Sequence, residues 1–183
     1  MTATATPEFS RIVRLDAIGA APVAHQIAAE PAERQALARR FGLQEIAALT
    51  GDFTLSHEAA GYRARGRVQA SVVQSCVISA EPVPEDVDEP VDVLFVRSLP
   101  EAEPEAEFEI SETECDTVLL TGQGIDLGEL AAETMALALD PYPRATDEVI
   151  AEARRYLIAE EEARAAEAAA KAEQSPFAAL KKG

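Results

Sequence analysis

The sequence predicts an α+β fold: a mostly antiparallel sheet or partial barrel with flanking helices and a long C-terminal helix. Three observations carry this. The run from Tyr62 to Ile78 alternates apolar and polar residues, the period of two that a half-buried strand needs. The strand-like runs around it follow one another instead of alternating with helices, which fits an antiparallel meander better than βαβ units. Two segments, Glu30-Pro31-Ala32-Glu33 and Asp126-Leu127-Gly128-Glu129, carry helix-start signals on either side of these strands.

In chain order, Phe9 to Ile18 reads as a first strand with Phe9, Ile12 or Val13, and Leu15 as its apolar residues. Pro31 opens a helix, since proline at the first helical position loses no hydrogen bond it would have made. That helix runs to Phe41 and stops at Gly42, a residue able to take the left-handed conformation that ends helices. Leu43 to Leu49 reads as a further short helical turn, and Gly51-Asp52 leads into a strand at Phe53-Thr54-Leu55. In the long strand the even positions Tyr62, Ala64, Val68, Ala70 and Val72 face the core. The odd positions Arg63, Arg65, Arg67, Gln69 and Ser71 face outward, and Gly66 marks a bulge or a close backbone approach.

Glu81 to Glu89 reads as an acidic connection interrupted by prolines, and Val91 to Val96 as the next strand. Residues 98–109, rich in Pro, Glu and Ala, have almost nothing to bury and read as a mobile acidic loop. Thr117 to Leu120 forms a last short strand, ended by Gly122 and Gly124. Asp126 then caps a helix, with Glu129 placed to reach back as in a capping box. Leu127, Leu130, Ala131, Thr134, Leu137 and Ala138 make its apolar stripe, and Asp140-Pro141 stops it. Thr146-Asp147-Glu148 opens the final helix, whose Val149, Ala153, Tyr156 and Leu157 pack on the domain. The chain is thus expected to hold a single α+β domain over residues 1–157, followed over 158–183 by an exposed Ala/Glu-rich helix and a tail.

Composition narrows the function classes. The 183 residues are 48% apolar, which argues against wholesale disorder. No apolar run approaches the roughly 20 residues that a membrane span needs. Met1 to Ser10 lacks the basic flank and apolar stretch of a secretory signal, and two cysteines, Cys76 and Cys115, do not make a disulfide scaffold. The expected location is therefore cytoplasmic, with no membrane partner. The net charge of −17 is unevenly placed. Residues 1–75 hold 8 basic and 7 acidic side chains, 76–150 hold 2 and 20, and 151–183 hold 6 of each. An acidic centre repels phosphates and draws cationic surfaces, or it is simply a solvated face.

No catalytic, cofactor-binding or metal-ligating set emerges. His25 lies in an Ala- and Pro-rich connector and His57 at a strand end, and nothing ties either to a nucleophile. Gly122-Gln123-Gly124 lacks the correctly spaced third glycine of a dinucleotide loop, since Gly128 falls one position late. Cys76 and Cys115 lie far apart, and neither has the close second ligand of a zinc site. No cofactor is expected. The basic stripe of Arg63, Arg65 and Arg67 is a candidate RNA contact, since guanidinium groups grip phosphates; it can equally pair with the chain's own acidic residues. Near the end, Pro176, Phe177 and Leu180 form a candidate partner-docking segment, with Phe177 and Leu180 spaced to share one face of a short induced helix.

Several of these segments resemble one family. Val68 to Val83 looks like the central strand pair of the YceD-like bacterial proteins, and Ile125-Asp126-Leu127-Gly128-Glu129-Leu130 is similar to that family's Ile-Asp-Leu helix start. The leucine-rich acidic helix with its proline stop and the closing Ser175-Pro176-Phe177-Ala178-Ala179-Leu180 fit the same pattern, in order, from about Phe9 to Lys182. The resemblance implies a role in accumulation of 23S ribosomal RNA. It also implies a neighbouring gene for a small zinc-containing protein of the large subunit. Many members carry Cys-x-x-Cys where this chain has Val73 and Cys76. The expected function is a noncatalytic factor for 23S ribosomal RNA accumulation and large-subunit assembly. It would bind a basic ribosomal protein or a pre-ribosomal particle. The alternative is direct ribosomal RNA binding through the arginine strand face.

Overall fold

The computed structural model describes residues 7–98, 116–120, 122–155 and 164. It shows an α+β architecture. Strands β1 (Ile12–Arg14) and β2 (Val23–Ala28) precede helix α1 (Pro31–Phe41). Three long strands follow, β3 (Glu45–Glu58), β4 (Gly61–Ser75) and β5 (Pro82–Val96), and then β6 (Asp116–Leu119), β7 (Gly124–Asp126) and helix α2 (Leu127–Ala138). One sheet has the order β2-β3-β4-β5-β6, and β1 pairs with β7 in a second, two-stranded sheet. The chain divides into two compact units, Met1–Gln74 with Pro84–Pro141, and Ser75–Val83 with Tyr142–Gly183.

The antiparallel expectation holds for most of the sheet. β2 pairs antiparallel with β3, and β3 with β4 through a hairpin whose last partners are Glu58 and Gly61. β6 departs from the meander, since it lies parallel to β5 along Val93–Val96 and returns through the long connection a parallel pair requires. The core of the first unit gathers Phe9, Leu37, Leu49, Phe53, Leu55, Val68, Leu127 and Met135. Helix α1 has a capping box between Glu30 and Glu33, proline in its first turn, and a left-handed Gly42 at φ 69° as its stop.

Four sequence expectations are corrected. Leu43 to Leu49 is not a helical turn, because β3 begins at Glu45. A bulge between Ile46 and Ala48 inserts one residue, so the buried Ile46 and Leu49 stand three apart, a spacing that imitates a helix. Val23–Ala28, read as a connector, is an edge strand whose side chains are mostly exposed and show only weak alternation. Glu81 to Glu89 is not a connection but part of β5, where Val87, Val91, Val93 and Phe95 point inward and Asp86, Asp88 and Asp92 outward. Prolines 82, 84 and 90 are tolerated there because β6 reaches only Val93–Val96, and among the described residues the rest of that strand has no strand partner on that side. The first strand shrinks to β1, and Leu15–Ala17 turn into a 3-10 helix instead.

Helix α2 starts where expected, and Leu127, Leu130, Ala131 and Ala138 of its expected stripe meet the core, but the stripe is turned slightly. Leu127, Gly128, Ala131, Ala132 and Met135 are buried, whereas Leu137 is 87% exposed. The cause is Gly128. A Cβ there would collide with the Phe9 carbonyl oxygen, so the bare glycine lets the helix sit against the N-terminal backbone and rotates its buried stripe by one position. A helix covers residues 147–155, with Ile150 rather than Val149 buried, and the long C-terminal helix that was expected is not shown beyond it. Tyr156 and Leu157, the loop at 99–109, Cys115 and the helix and tail at 158–183, apart from a helical Arg164, lie outside the described residues.

Gly128→Ala tests this packing directly. Alanine is the better helix former by about 1 kcal/mol, yet the substitution should destabilise the protein by about 1–3 kcal/mol in a denaturant titration, because backbone must move to admit the methyl group.

Candidate functional site

The outer faces of β4 and β5 build a ladder of charge. Arg63 donates from Nε to Asp92 at 2.6 Å and from a terminal nitrogen at 2.8 Å. Arg65 reaches the same carboxylate at 3.3 Å, and Arg67 reaches Asp88 at 2.7 Å. Ser71 continues the series to Asp86 at 2.7 Å, and Gln74 to Glu85 at 2.6 Å. Partner numbers on β5 fall as those on β4 rise, which is the opposed sense of an antiparallel pair. The arginine neighbours hold the Asp92 and Asp88 carboxyls below their ordinary range: Arg63 by its hydrogen bonds at Asp92, and Arg67 likewise at Asp88.

The strand alternation thus places Arg63, Arg65 and Arg67 on one outward face, and each faces a carboxylate of the neighbouring strand. Arg63 is the most enclosed, with its side chain 19% exposed against 52% for Arg67. The sequence allowed pairing with the chain's own acids but did not name the partners, because Glu81 to Glu89 read as a connection. Once Pro82–Val96 is a strand, Asp88 and Asp92 fall opposite the arginines and Asp86 opposite Ser71. Pro176, Phe177 and Leu180 lie outside the described residues.

A second feature flanks helix α2. Leu130, Glu133, Thr134 and Leu137 stand at i, i+3, i+4 and i+7, one stripe of the helix. Two recesses open along it. One is lined by Phe95, Val118, Leu119, Leu120, Ile125 and Leu130, and the other by Val91, Val93, Asp116, Thr134, Leu137 and Ala138 among others. Asp126, Glu129, Glu133, Glu89 and Asp92 also border them, and among the described residues no basic side chain does. Asp126 is committed to the helix cap, accepting from the Gly128 and Glu129 amides, and it also binds the Ser10 hydroxyl and the Arg11 amide. Glu129 does not reach back to complete a capping box. It pairs with Arg40 at 2.6 Å, which also holds Glu8 at 3.1 Å.

In the second unit, Cys76 is buried at a turn where the Ala80 amide donates to the Cys76 carbonyl and Ala80 has φ 60°. Its sulfur accepts from the Ala145 amide at 3.3 Å and the Ile78 amide at 3.5 Å. Donation from Ala145, then from Ser79, pulls the thiol down to about 6. Among the described residues no group of three His, Cys, Asp or Glu side chains converges as a metal site.

The protein-family model described as "Large ribosomal RNA subunit accumulation protein YceD" matches residues 64–182. The chain belongs to the YceD family. Searches of curated proteins and of solved structures return no match. The YceD match begins inside β4, so it takes in Arg65, Arg67, all of β5 to α2 and the Cys76 turn. It starts well after Phe9, where the resemblance was expected to begin. The YceD description ties the chain to accumulation of large-subunit ribosomal RNA and names no reaction. No helix among the described residues is long and apolar enough to cross a membrane.

Two measurements check the site. Arg63→Ala should cost about 1 kcal/mol because a half-buried arginine leaves Asp92 without its strongest partner, while Arg67→Ala should leave the denaturation midpoint nearly unchanged. Since the Asp92 carboxyl is held low in the folded state, its stabilisation is present above about pH 4 and lost as pH falls through the depressed value; Asp92→Asn should flatten that acid limb. In a Cys115→Ser background, ultraviolet titration of the Cys76 thiolate should show a midpoint near pH 6, and Ser79→Ala should raise it toward the ordinary thiol range.

Proposed function

We propose that this chain is a noncatalytic cytoplasmic factor that supports 23S ribosomal RNA accumulation and large-subunit assembly by binding a basic ribosomal protein or pre-ribosomal particle. The supporting observation is electrostatic. Residues 76–150 carry 20 acidic and 2 basic side chains, and the arginines of β4 pair with Asp88 and Asp92 among them, while Glu133 and Asp116 have no side-chain partner among the described residues. The surplus carboxylates draw a cationic partner, raise its association rate and lose this advantage as salt screens them. Direct RNA binding through Arg63, Arg65 and Arg67 is disfavoured, because phosphates would have to displace carboxylates already in place. Pro176, Phe177 and Leu180 supply a second, apolar contact for the same partner.

The test mixes the tagged full-length protein with purified large-subunit proteins and, separately, with 23S ribosomal RNA. Retention of basic ribosomal proteins at low salt, severalfold weaker at moderate salt, is the expected result. No retention at either salt overturns the role. So does salt-dependent RNA retention that falls severalfold when Arg63, Arg65 and Arg67 become alanine, which would make RNA the partner instead.

A further inference from the structure

The trough along α2 holds the two properties a docking site for a basic chain needs, apolar anchorage and unspent negative charge. Its helix wall carries Leu137, 87% exposed on a helix whose opposite face is buried. Its strand wall is β6, where Val118 and Leu119 are 42% and 46% exposed. Solvent exposure on both walls leaves apolar surface whose burial by a partner is favourable by roughly 25 cal/mol per Å². β6 is also the end of its sheet, with β5 as its single neighbour among the described residues. Among the described residues no other strand takes its outer row of amides and carbonyls.

Charge selects the occupant. Asp126, Glu129 and Asp92 are engaged by the helix cap, Arg40 and Arg63, but Glu133 and Asp116 have no side-chain partner among the described residues. They stand at the two recesses, Glu133 on the helix stripe and Asp116 at the start of β6. A second copy of this chain, at net charge −17, would bring like charge against them, and a nucleic acid or anionic lipid would do the same. A cationic polypeptide does the opposite. An extended one also sends alternate side chains to opposite faces, so lysine or arginine can meet the carboxylates while branched apolar residues enter the trough.

We propose that the trough between β6 and α2 docks an extended, lysine- or arginine-rich segment of the partner protein, added as a strand along β6 and anchored against Leu137. This rests on the basic-partner function proposed above and gives it a place on the molecule. β6 is four residues long, so the docked strand spans about 13 Å.

The probe is a fluorescent, acetylated peptide of alternating lysine and valine, with a glutamate-for-lysine analogue as control, titrated into the full-length protein. Leu137→Ser with Glu133→Lys should weaken the lysine peptide at least tenfold without moving the melting temperature, since both side chains are on the exposed side of α2. Glu45→Lys, which changes charge on β3, should weaken it less than twofold. The docking site is overturned by absent binding of the lysine peptide, by equal binding of the glutamate analogue, by no loss in the double variant, or by an equal loss in Glu45→Lys. Capture of purified large-subunit proteins separates the two levels. Wild-type capture that the double variant retains removes the trough but leaves the function standing. No wild-type capture removes the function itself.

Discussion

Asp126 is the constraint on which the described fold turns. Its carboxylate accepts from the Gly128 and Glu129 amides and so starts α2; it also accepts from the Ser10 hydroxyl and the Arg11 amide and so fastens the N-terminal segment to that helix. The β1–β7 pair ends at the same place, with Ile12 opposite Asp126. One acid therefore joins residues 115 and 116 positions apart in sequence. Because Gly128 admits the Phe9 carbonyl so closely, this junction also sets the rotation of α2, and the rotation decides that Leu137 faces outward. The exposed trough is a consequence of how the helix is pinned, not of an excess of apolar residues.

Electrostatics then divides the acids into two groups. Those on β5 opposite β4 have arginine, serine or glutamine partners and belong to the sheet. Such exposed cross-strand pairs contribute little each, and their main effect is to fix register and to exclude other anions from the arginines. Of the other described acids, Glu8, Asp16, Glu33, Glu58 and Glu129 pair with arginines and Asp126 caps α2, whereas Glu133 and Asp116 have no side-chain partner among the described residues and add to the molecule's field.

Much of this was legible in the sequence. The alternation from Tyr62 to Val72 placed inner and outer faces correctly, Pro31 and Gly42 bounded α1, and Asp126 marked the start of α2. The illegible parts have physical causes. The bulge near Ile46 broke the period of two and produced a helical spacing in a strand. Prolines 82, 84 and 90 spoke against a strand because a sequence does not reveal that the neighbouring β6 stops short of them. The rotated face of α2 depended on a contact between Gly128 and Phe9, which no local periodicity contains. For the candidate site, the arginine stripe was visible, whereas its carboxylate partners and the trough required knowing that β5 and β6 are neighbours.

Those prolines have one more effect. A long strand with an open flank invites polymerisation, since any extended chain can stitch itself alongside and recruit the next. Prolines at 82, 84 and 90 remove three amide donors from the part of β5 outside its pairing with β6, so growth of a fibril from that flank finds fewer bonds to make. Such a blunted rim lets the protein carry a long strand without becoming the seed of an aggregate.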